Sequence, residues 1–180
     1  MHDPDAEDVA KAGRGDRDAA ARLIARHSAK LLTVAQRMLT SRAEAEDAVQ
    51  DVFLRLWTHA GRWRPGGAKF ETWLYRVTMN KCYDRLRKRP AANLDEAAEV
   101  PDPAPRADTA LETADLSIEI EAALAALPQR QRAAIVLCHH QERGNIEAAE
   151  IMGISVEALE SLLARGRRAL RAKLAHVRDE

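Results

Sequence analysis

Basic, amide and aromatic side chains between residues 70 and 89 have the composition of a nucleic-acid-binding surface. Four of them recur at helical spacing, namely Arg76, Asn80, Tyr83 and Arg87, and further basic residues follow at Lys81, Arg85, Lys88 and Arg89. Guanidinium and ammonium groups bind phosphates, asparagine can read a base edge, and aromatic rings stack on unpaired bases. The preceding loop adds Arg62, Trp63, Arg64 and Lys69. A solvated basic face is the alternative for any single residue, but the whole surface favours nucleic acid.

A second pattern, EAAEIMGISVEALESLL at residues 147–163, predicts a helix-turn-helix. This motif needs a small residue where its helices cross and a glycine in the turn, and Ala149 and Gly153 occupy those places. On the last helix the apolar residues form one stripe with the 3.6-residue period. The opposite face carries charged and small residues: Glu157, Glu160, Ser161, Ala164, Arg165, Arg168 and Arg171. An ordinary helical hairpin is the alternative.

A third candidate surface is the outer face of the helix predicted over residues 44–57. Its buried stripe consists of Ala45, Ala48, Val49, Val52 and Leu56. Leu54 falls on the far side, near Asp47, Gln50 and Asp51. An apolar residue among acids can meet a basic protein surface, but one exposed leucine is ordinary. The residues alone do not decide whether this face binds another protein or is an ordinary solvent-exposed surface.

Catalytic and metal-binding patterns are missing from the sequence. Cys138, His139 and His140 are adjacent, so on a helix they point in different directions, and no second cluster supplies further ligands at a usual spacing. No P-loop, nucleophile elbow or dinucleotide fingerprint occurs. We therefore expect a protein that is not an enzyme, with no metal, no cofactor and no small-molecule substrate.

The two cysteines and the apolar pattern indicate the compartment. Cys82 and Cys138 lie in different predicted helices without CxxC spacing, which favours a reducing environment over a structural disulfide. No signal-peptide pattern opens the chain, and no apolar stretch reaches the length of a membrane span. We expect a cytoplasmic protein that is not inserted in a membrane.

Charge and proline content divide the chain into three parts. The formal net charge is zero, but residues 1–90 carry 18 basic against 12 acidic residues, and residues 91–115 carry one against seven. The middle part holds several prolines and cannot bury enough apolar surface to order itself, so it is predicted as a flexible acidic linker. As a coil its 25 residues span roughly 25–30 Å, and fully extended about 80 Å. Residues 1–90 and 116–180 then form two small domains.

Helix signals predict an all-α fold for both domains. Before the linker, helices are expected over 5–12, from 16 to about 39 with a break near His27–Ser28, over 44–57 behind a capping box at Ser41 and Glu44, and over 70–89. Proline and glycine keep loop 61–69 out of a helix. After the linker, helices are expected over 116–127, 128–141, 146–152 and 155–177.

The order of these motifs resembles the extracytoplasmic-function (ECF) branch of the sigma-70 family. The resemblance is carried by DAVQDVFLRLW, FETWLYRVTMNKCYDRLRKR, the linker, LPQRQRAAIVLCHH and the helix-turn-helix, and covers about residues 16–175. It implies a sigma region 2 bundle followed by a region 4 helix-turn-helix. It also implies three partners, which are core RNA polymerase, promoter DNA and an anti-sigma factor.

The resemblance assigns a role to each candidate surface. The positions that would dock on the polymerase clamp helices are Asp47, Gln50, Asp51, Phe53, Leu54 and Trp57. Those that would recognise and open the minus-ten element are Arg62, Trp63, Lys69, Trp73, Arg76, Asn80, Lys81, Tyr83, Arg85, Arg87 and Lys88. Those that would bind the minus-thirty-five element are Ser155, Glu157, Glu160, Ser161, Arg165, Arg167, Arg168 and Arg171.

One departure from the family pattern lies in the recognition helix. Glu157 and Glu160 stand where the family has small or basic residues, so this chain either reads a different upstream sequence or relies on its arginines for duplex contact. Two other classes remain open: a two-domain helix-turn-helix regulator with an N-terminal sensing domain, and a pure binding protein such as an anti-sigma factor or adaptor. The basic helix and the long linker favour the sigma factor over both.

Overall fold

The computed structural model describes residues 3–63, 68–88, 118–141 and 143–175, and nearly all of them lie in helices. These residues form no β-strand, so the predicted all-α fold is confirmed. The predicted linker, residues 91–115, lies outside the described residues, as do Arg64, Arg89 and the end of the last predicted helix.

The described residues of the N-terminal bundle form four α-helices and one 3-10 turn. They are α1 (Ala6–Ala12), α2 (Arg17–Leu39), α3 (Arg42–His59), the 3-10 turn Ala60–Arg62, and α4 (Phe70–Lys88). Helix α2 packs against all three other helices. Its fully buried side chains include Leu23, Leu31, Val34 and Met38, which face Val52, Leu56, Leu74 and Met79 from α3 and α4. Burial of this apolar surface is the main force that assembles the bundle.

Side-chain caps explain where α2 and α3 begin. The Asp16 carboxylate accepts a hydrogen bond from the Ala19 N–H at 3.0 Å, and the Ser41 hydroxyl accepts one from the Glu44 N–H at 3.4 Å. Each cap satisfies one of the backbone donors that a helix N-terminus leaves unpaired. The helix start predicted at Ser41 is confirmed.

The expected break near His27–Ser28 is wrong, because α2 is continuous through both residues. The His27 side chain is almost fully buried, and its Nε2 lies 2.8 Å from Oδ2 of Asp5, a residue just before α1. A buried partner from another element thus keeps this polar residue inside the helix, where sequence pattern alone suggested an interruption.

The segment before α2 ties the bundle together through its acids. Asp5 also contacts Arg26, and Asp8 accepts a hydrogen bond from Arg22 at 2.7 Å. Asp3 reaches α4, where its Oδ2 accepts a hydrogen bond from the Phe70 N–H at 2.6 Å. Helix α4 is therefore capped by a residue 67 positions earlier in the chain.

The C-terminal unit contains helix α5 at residues 118–125, α6 (Gln129–Ile135), α7 (Asn145–Met152) and α8 (Val156–Lys173). Helix α6 continues as a π-helical turn over Val136–His140. The core of the C-terminal unit is formed by residues from all four of these helices: Leu124, Ala133, Ala134, Val136, Leu137, Ala148, Ile151, Leu159 and Leu163. Gly166 of α8 lies against Ile135 of α6, where a Cβ atom would come within 3.1 Å.

Gly13 should be the least replaceable glycine of the N-terminal bundle. Its backbone is in the ordinary helical region, with φ −62°, but a Cβ would lie 2.8 Å from the backbone of Gly61 in the 3-10 turn. We expect Gly13→Ala to lower the free energy of unfolding by about 1–3 kcal/mol through this overpacking. Gly144→Ala is the matched control, since nothing lies within 4 Å of its Cβ position. Urea unfolding followed by circular dichroism measures both variants, and equal stabilities would contradict the close approach of the two glycines.

Candidate nucleic-acid interface

Helix α4 has one face in the core and one in solvent. Phe70, Leu74, Met79 and Cys82 are buried, and burial raises the pKa of the Cys82 thiol to about 12. The exposed face includes Arg76, Asn80, Arg87 and Lys88. Of the four residues that the sequence places on one stripe, Arg76, Asn80 and Arg87 are therefore on the solvent side of the helix.

Tyr83 departs from the stripe expected from the sequence. Its ring packs partly against the core, and its hydroxyl is buried without a hydrogen-bond partner. Burial raises the pKa of Tyr83 to about 12. The residue is thus turned more toward the bundle than its exposed neighbours Asn80 and Arg87, which makes it less available for stacking on a base.

The start of α4 and the preceding turn bring aromatic rings together. Phe70 stacks on Trp73 with ring centroids 5.6 Å apart, and Trp63 meets Phe70 edge to face at 6.0 Å. His59, at the end of α3, lies 6.3 Å from Trp73. Trp63 and Trp73 are half-buried, whereas Arg62 and Lys69 beside them are exposed. The arrangement offers partly exposed rings flanked by cations, which suits unpaired bases.

The outer face of α3 exposes two large apolar side chains. Leu54 is 59% exposed and Trp57 44% exposed, while Asp47 and Gln50 on the same face are also exposed. Phe53 is half-buried against the core. An apolar pair in solvent beside acidic and amide groups is the composition of a protein-docking surface.

Asp51 connects the outer face of α3 with the basic face of α4. Its Oδ2 lies 3.1 Å from Nζ of Lys81 and 3.3 Å from Nη2 of Arg85. Further along α4, Arg87 pairs with Asp84. These pairs neutralise part of the positive charge that composition alone assigned to the helix, and they fix the two candidate surfaces side by side.

The helix-turn-helix is formed by α7 and α8 with a tight turn between them. Gly153 adopts a left-handed conformation, with φ +63°, and Ile154 donates a backbone hydrogen bond to the Ala149 carbonyl at 3.1 Å. Ser155 caps α8 by accepting from the Ala158 N–H at 3.2 Å. The predicted small residue and glycine therefore both serve the turn, and the structure adds the Ser155 cap.

The solvent face of α8 carries the residues predicted for duplex contact. All eight are exposed: Ser155, Glu157, Glu160, Ser161, Arg165, Arg167, Arg168 and Arg171. Glu160 accepts a hydrogen bond from the Asn145 side chain at 3.4 Å, and Arg165 donates to the Ser161 hydroxyl at 3.2 Å.

Glu157 is held at the N-terminus of α8. Hydrogen bonds from its own backbone N–H and from the Ser155 hydroxyl lower the pKa of its carboxyl group. A carboxylate is favourable at this end of a helix because of the helix dipole. The position of Glu157 in the first turn of α8 is therefore electrostatically favourable.

Sequence reasoning missed the contact between the two units, which is centred on Arg143. Its guanidinium binds both carboxylate oxygens of Glu71 in α4, at 2.6 and 3.1 Å, and lies 2.6 Å from Glu147 in α7. It also stacks over the Tyr75 ring, with Cζ 4.4 Å from the centroid. We call these four residues the Arg143 seam.

Charge and burial in the Arg143 seam act on the pKa values in opposite directions. Burial alone would raise the pKa of Glu71, but the hydrogen bond and charge of Arg143, helped by Lys30 and His27, hold it below its usual value. Burial would likewise lower the pKa of Arg143, yet its bonds to Glu71 and Tyr75 raise it. Both residues are therefore held in their charged forms.

Further hydrogen bonds join the units on either side of the Arg143 seam. Thr72 donates to Glu147 at 3.3 Å, the Tyr75 hydroxyl donates to Gln141 at 2.8 Å, and Arg76 donates to the Glu150 carbonyl. At the other end, buried Arg132 of α6 donates to the Met38 carbonyl of α2 at 2.7 Å. The residues that form these contacts are far apart in the sequence, so no local motif predicts the pairs.

The described residues offer neither a cluster of metal ligands nor a membrane-spanning helix. Those residues contain no group of three or more His, Cys, Asp or Glu side chains placed to hold a metal ion. Cys138 lies 4.0 Å from the Asn145 amide oxygen, and His139 accepts from Arg167 at 3.1 Å. None of the helices in the same part of the chain combines the length and apolarity needed to span a bilayer.

Two family models match the chain, one for each unit. Sigma-70 region 2 matches residues 23–91, and Sigma-70, region 4 matches residues 117–170. The chain is 35% identical to the ECF RNA polymerase sigma factor SigM of Mycobacterium tuberculosis, across 96% of this chain and 86% of that protein. It is 32% identical to SigW of Bacillus subtilis, across 89% and 91% of the two chains. It is 31% identical to SigE of Mycolicibacterium smegmatis across 88% of this chain, but spans 62% of that relative's length.

Solved structures show the same fold. CnrH in complex with the cytosolic domain of CnrY superposes with a TM-score of 0.74 at 28% identity, covering 97% of this chain and 99% of that one. CnrH is a sigma factor of Cupriavidus metallidurans. RpoE of Bartonella quintana, solved with the anti-sigma factor NepR, gives 0.69 at 24% identity, covering 86% and 96%.

Proposed function

This chain belongs to the ECF branch of the sigma-70 family of transcription initiation factors, and we propose that it binds core RNA polymerase and directs it to specific promoters. Region 2 melts the minus-ten element and region 4 binds the minus-thirty-five element. The protein contributes recognition and catalyses no reaction itself. Such a factor acts in the cytoplasm, where the polymerase and the chromosome are.

The observation that carries this proposal is the pair of adjoining surfaces on α3 and α4. One presents Leu54 and Trp57 beside acids, and the other presents Arg76, Asn80 and the aromatic rings near Trp73. A factor that opens DNA on a polymerase needs two faces, one that docks on the polymerase and one that binds unpaired bases. The two faces must be held at a fixed distance from each other. The ion pairs of Asp51 provide that fixed relation.

In this proposal the docking face comprises Asp47, Gln50, Asp51, Phe53, Leu54 and Trp57. The exposed cations of α4 bind phosphates, and Asn80 contacts a base freed from the duplex. The cost of unpairing is a few kcal/mol, and stacking on aromatic rings contributes about 1–3 kcal/mol per base in return. Tyr83 contributes through packing more than through direct stacking.

We also expect an anti-sigma partner. The CnrH structure, which covers nearly all of both chains, is a complex with the cytosolic domain of another protein, CnrY. A protein that covers the exposed α3 face would keep the chain from polymerase, because Leu54 and Trp57 can be buried by one partner at a time.

Leu54→Ser tests the docking face. The side chain is largely in solvent, so the free energy of unfolding should change by no more than about 0.5 kcal/mol. Affinity for core polymerase, measured by fluorescence anisotropy of the labelled full chain, should fall about tenfold or more, as for a central interface residue. Ala43→Ser, an exposed site earlier on α3, is the control. Unchanged affinity in Leu54→Ser would remove Leu54 from the interface.

Asn80→Ala tests the melting face. Asn80 is exposed, so truncation should leave the fold and the affinity for core polymerase intact. The holoenzyme should bind a cognate promoter yet show reduced permanganate reactivity of unpaired thymines near the start site. Leu54→Ser should show the opposite pattern, because it should reduce the affinity for core polymerase itself. Normal promoter opening by Asn80→Ala would contradict the assignment.

Glu160 should determine a base preference in the upstream element. An exposed carboxylate accepts a hydrogen bond from the N4 amino group of cytosine, and a correct base contact discriminates by about 1–3 kcal/mol. We expect Glu160→Ala to relax preference at one position when holoenzyme selects from randomised upstream elements. Glu121→Gln, an exposed acid on α5, should leave the selected sequence unchanged. If Glu160→Ala selects the same sequence as the unmodified chain, Glu160 reads no base.

A further inference from the structure

We propose that the segment from Asp3 to Gly13 is a brace that positions the aromatic rings proposed to bind unpaired bases. The brace contacts α4 at Phe70 and the 3-10 turn at Gly61, which are the two described ends of the loop between α3 and α4. Its effect on DNA rests on the proposed function, whereas the contacts themselves do not. Asp3 is then a positioning residue, which acts through Phe70.

The Asp3 carboxylate joins the brace to the first turn of α4. Its Oδ2 accepts the hydrogen bond from the Phe70 N–H at 2.6 Å, and its Oδ1 accepts one from the Asp5 N–H at 2.9 Å. Lys69, the residue directly before α4, has a side chain that can donate but not accept, so it cannot cap the helix. A carboxylate is also favourable at a helix N-terminus. Asp3 therefore supplies the cap that the adjacent residue cannot provide.

Phe70 is the residue through which this cap acts on the aromatic rings. Its side chain is 1% exposed, and its ring lies 5.6 Å from the ring of Trp73 and 6.0 Å from that of Trp63. The ring of buried His27 also meets it edge to face, at 6.3 Å. A shift of the Phe70 backbone would therefore move the ring on which both tryptophans pack.

Gly13 joins the brace to the 3-10 turn that leads to Trp63. A Cβ at Gly13 would lie 2.8 Å from the backbone of Gly61, and one at Gly61 would lie 3.2 Å from the Gly13 carbonyl oxygen. The Trp63 N–H in turn donates to the His59 carbonyl at 3.2 Å. Because close-packed backbones leave little room for adjustment, the position of the turn, and with it that of Trp63, follows the position of α1.

The brace is itself anchored to α2 through its acids. Asp5 is 2% exposed and contacts both His27 and Arg26, and Asp8 accepts a hydrogen bond from Arg22 at 2.7 Å. Buried polar groups that find their partners make a structure more rigid. The contacts at Phe70 and Gly61 are therefore made by a segment that is held to the body of the bundle.

Tryptophan fluorescence of the free full chain tests the brace without polymerase or DNA. The chain has three tryptophans, and Trp57→Phe removes the exposed one on α3, so that the emission comes from Trp63 and Trp73. In this background Asp3→Ala should increase the quenching of emission by acrylamide and shift the emission to longer wavelength, because the two half-buried rings become more exposed. Asp3→Asn keeps an accepting oxygen and should behave like the unmodified chain.

Asp16→Ala is the matched control, because it removes the corresponding side-chain cap of α2. Both alanine variants lose one helix cap, so each should lower Tm by about 2–4 °C. Circular dichroism follows the melting and checks that each variant is folded. Only Asp3→Ala should change the tryptophan quenching, which separates positioning of the rings from a general loss of stability.

Promoter opening by the holoenzyme gives the functional readout, in chains that retain Trp57. The rate at which thymines become reactive to permanganate should fall about fivefold in Asp3→Ala, since the free energy of one helix cap limits the effect. Affinity for core polymerase should be unchanged, because the brace and the docking residues Leu54 and Trp57 lie on different elements. Asp3→Asn and Asp16→Ala should open the promoter at the rate of the unmodified chain.

Unchanged quenching in folded Asp3→Ala, or the same change in Asp16→Ala, would overturn the brace. Changed quenching with an unchanged opening rate would also overturn it, because the rings would then bind bases without the support of Asp3. Changed quenching in Asp3→Ala, with no transcription from any variant or from the unmodified chain, would support the brace and contradict the sigma function instead.

Discussion

The contact of Arg143 with Glu71 and Tyr75 lies at the centre of the polar interface between the two halves of this molecule. Arg143 neutralises two carboxylates from different helices and covers a tyrosine ring, and the pKa of Glu71 is held low enough to keep the pair ionised. Helix α4, which carries Glu71, also contributes side chains to the core of the N-terminal bundle and forms the surface proposed to bind DNA. Constraints on packing, recognition and domain arrangement therefore all act on this one helix.

Three acids anchor α4 to other parts of the structure, two from other segments and one of its own. Asp3 caps its first turn, Asp51 binds two of its cations and Glu71 binds Arg143. Each acid fixes the helix relative to a different element. A docking face on α3 and a melting face on α4 held rigidly together would transmit polymerase binding directly to the position of the unpaired bases.

Local patterns predicted much of this structure. The helix start at Ser41, the glycine turn at Gly153 and the apolar stripe of α3 depend on residues close in sequence, and each appears where the pattern placed it. The error at His27 has a long-range cause, because its stabilising partner Asp5 lies 22 residues away. The Arg143 seam and the Asp3 cap span about 70 residues, and no periodicity encodes such pairs. The partial burial of Tyr83 likewise depends on its three-dimensional neighbours.

The most direct test of the sigma function is transcription with the purified chain and core RNA polymerase on a library of genomic DNA, with the transcript starts mapped. The proposed function predicts discrete start sites that require the chain and share two upstream sequence elements at a fixed spacing. No chain-dependent start sites, together with no binding to a cognate core polymerase, would contradict it. Tight operator binding by the chain alone would then assign the helix-turn-helix to a regulator.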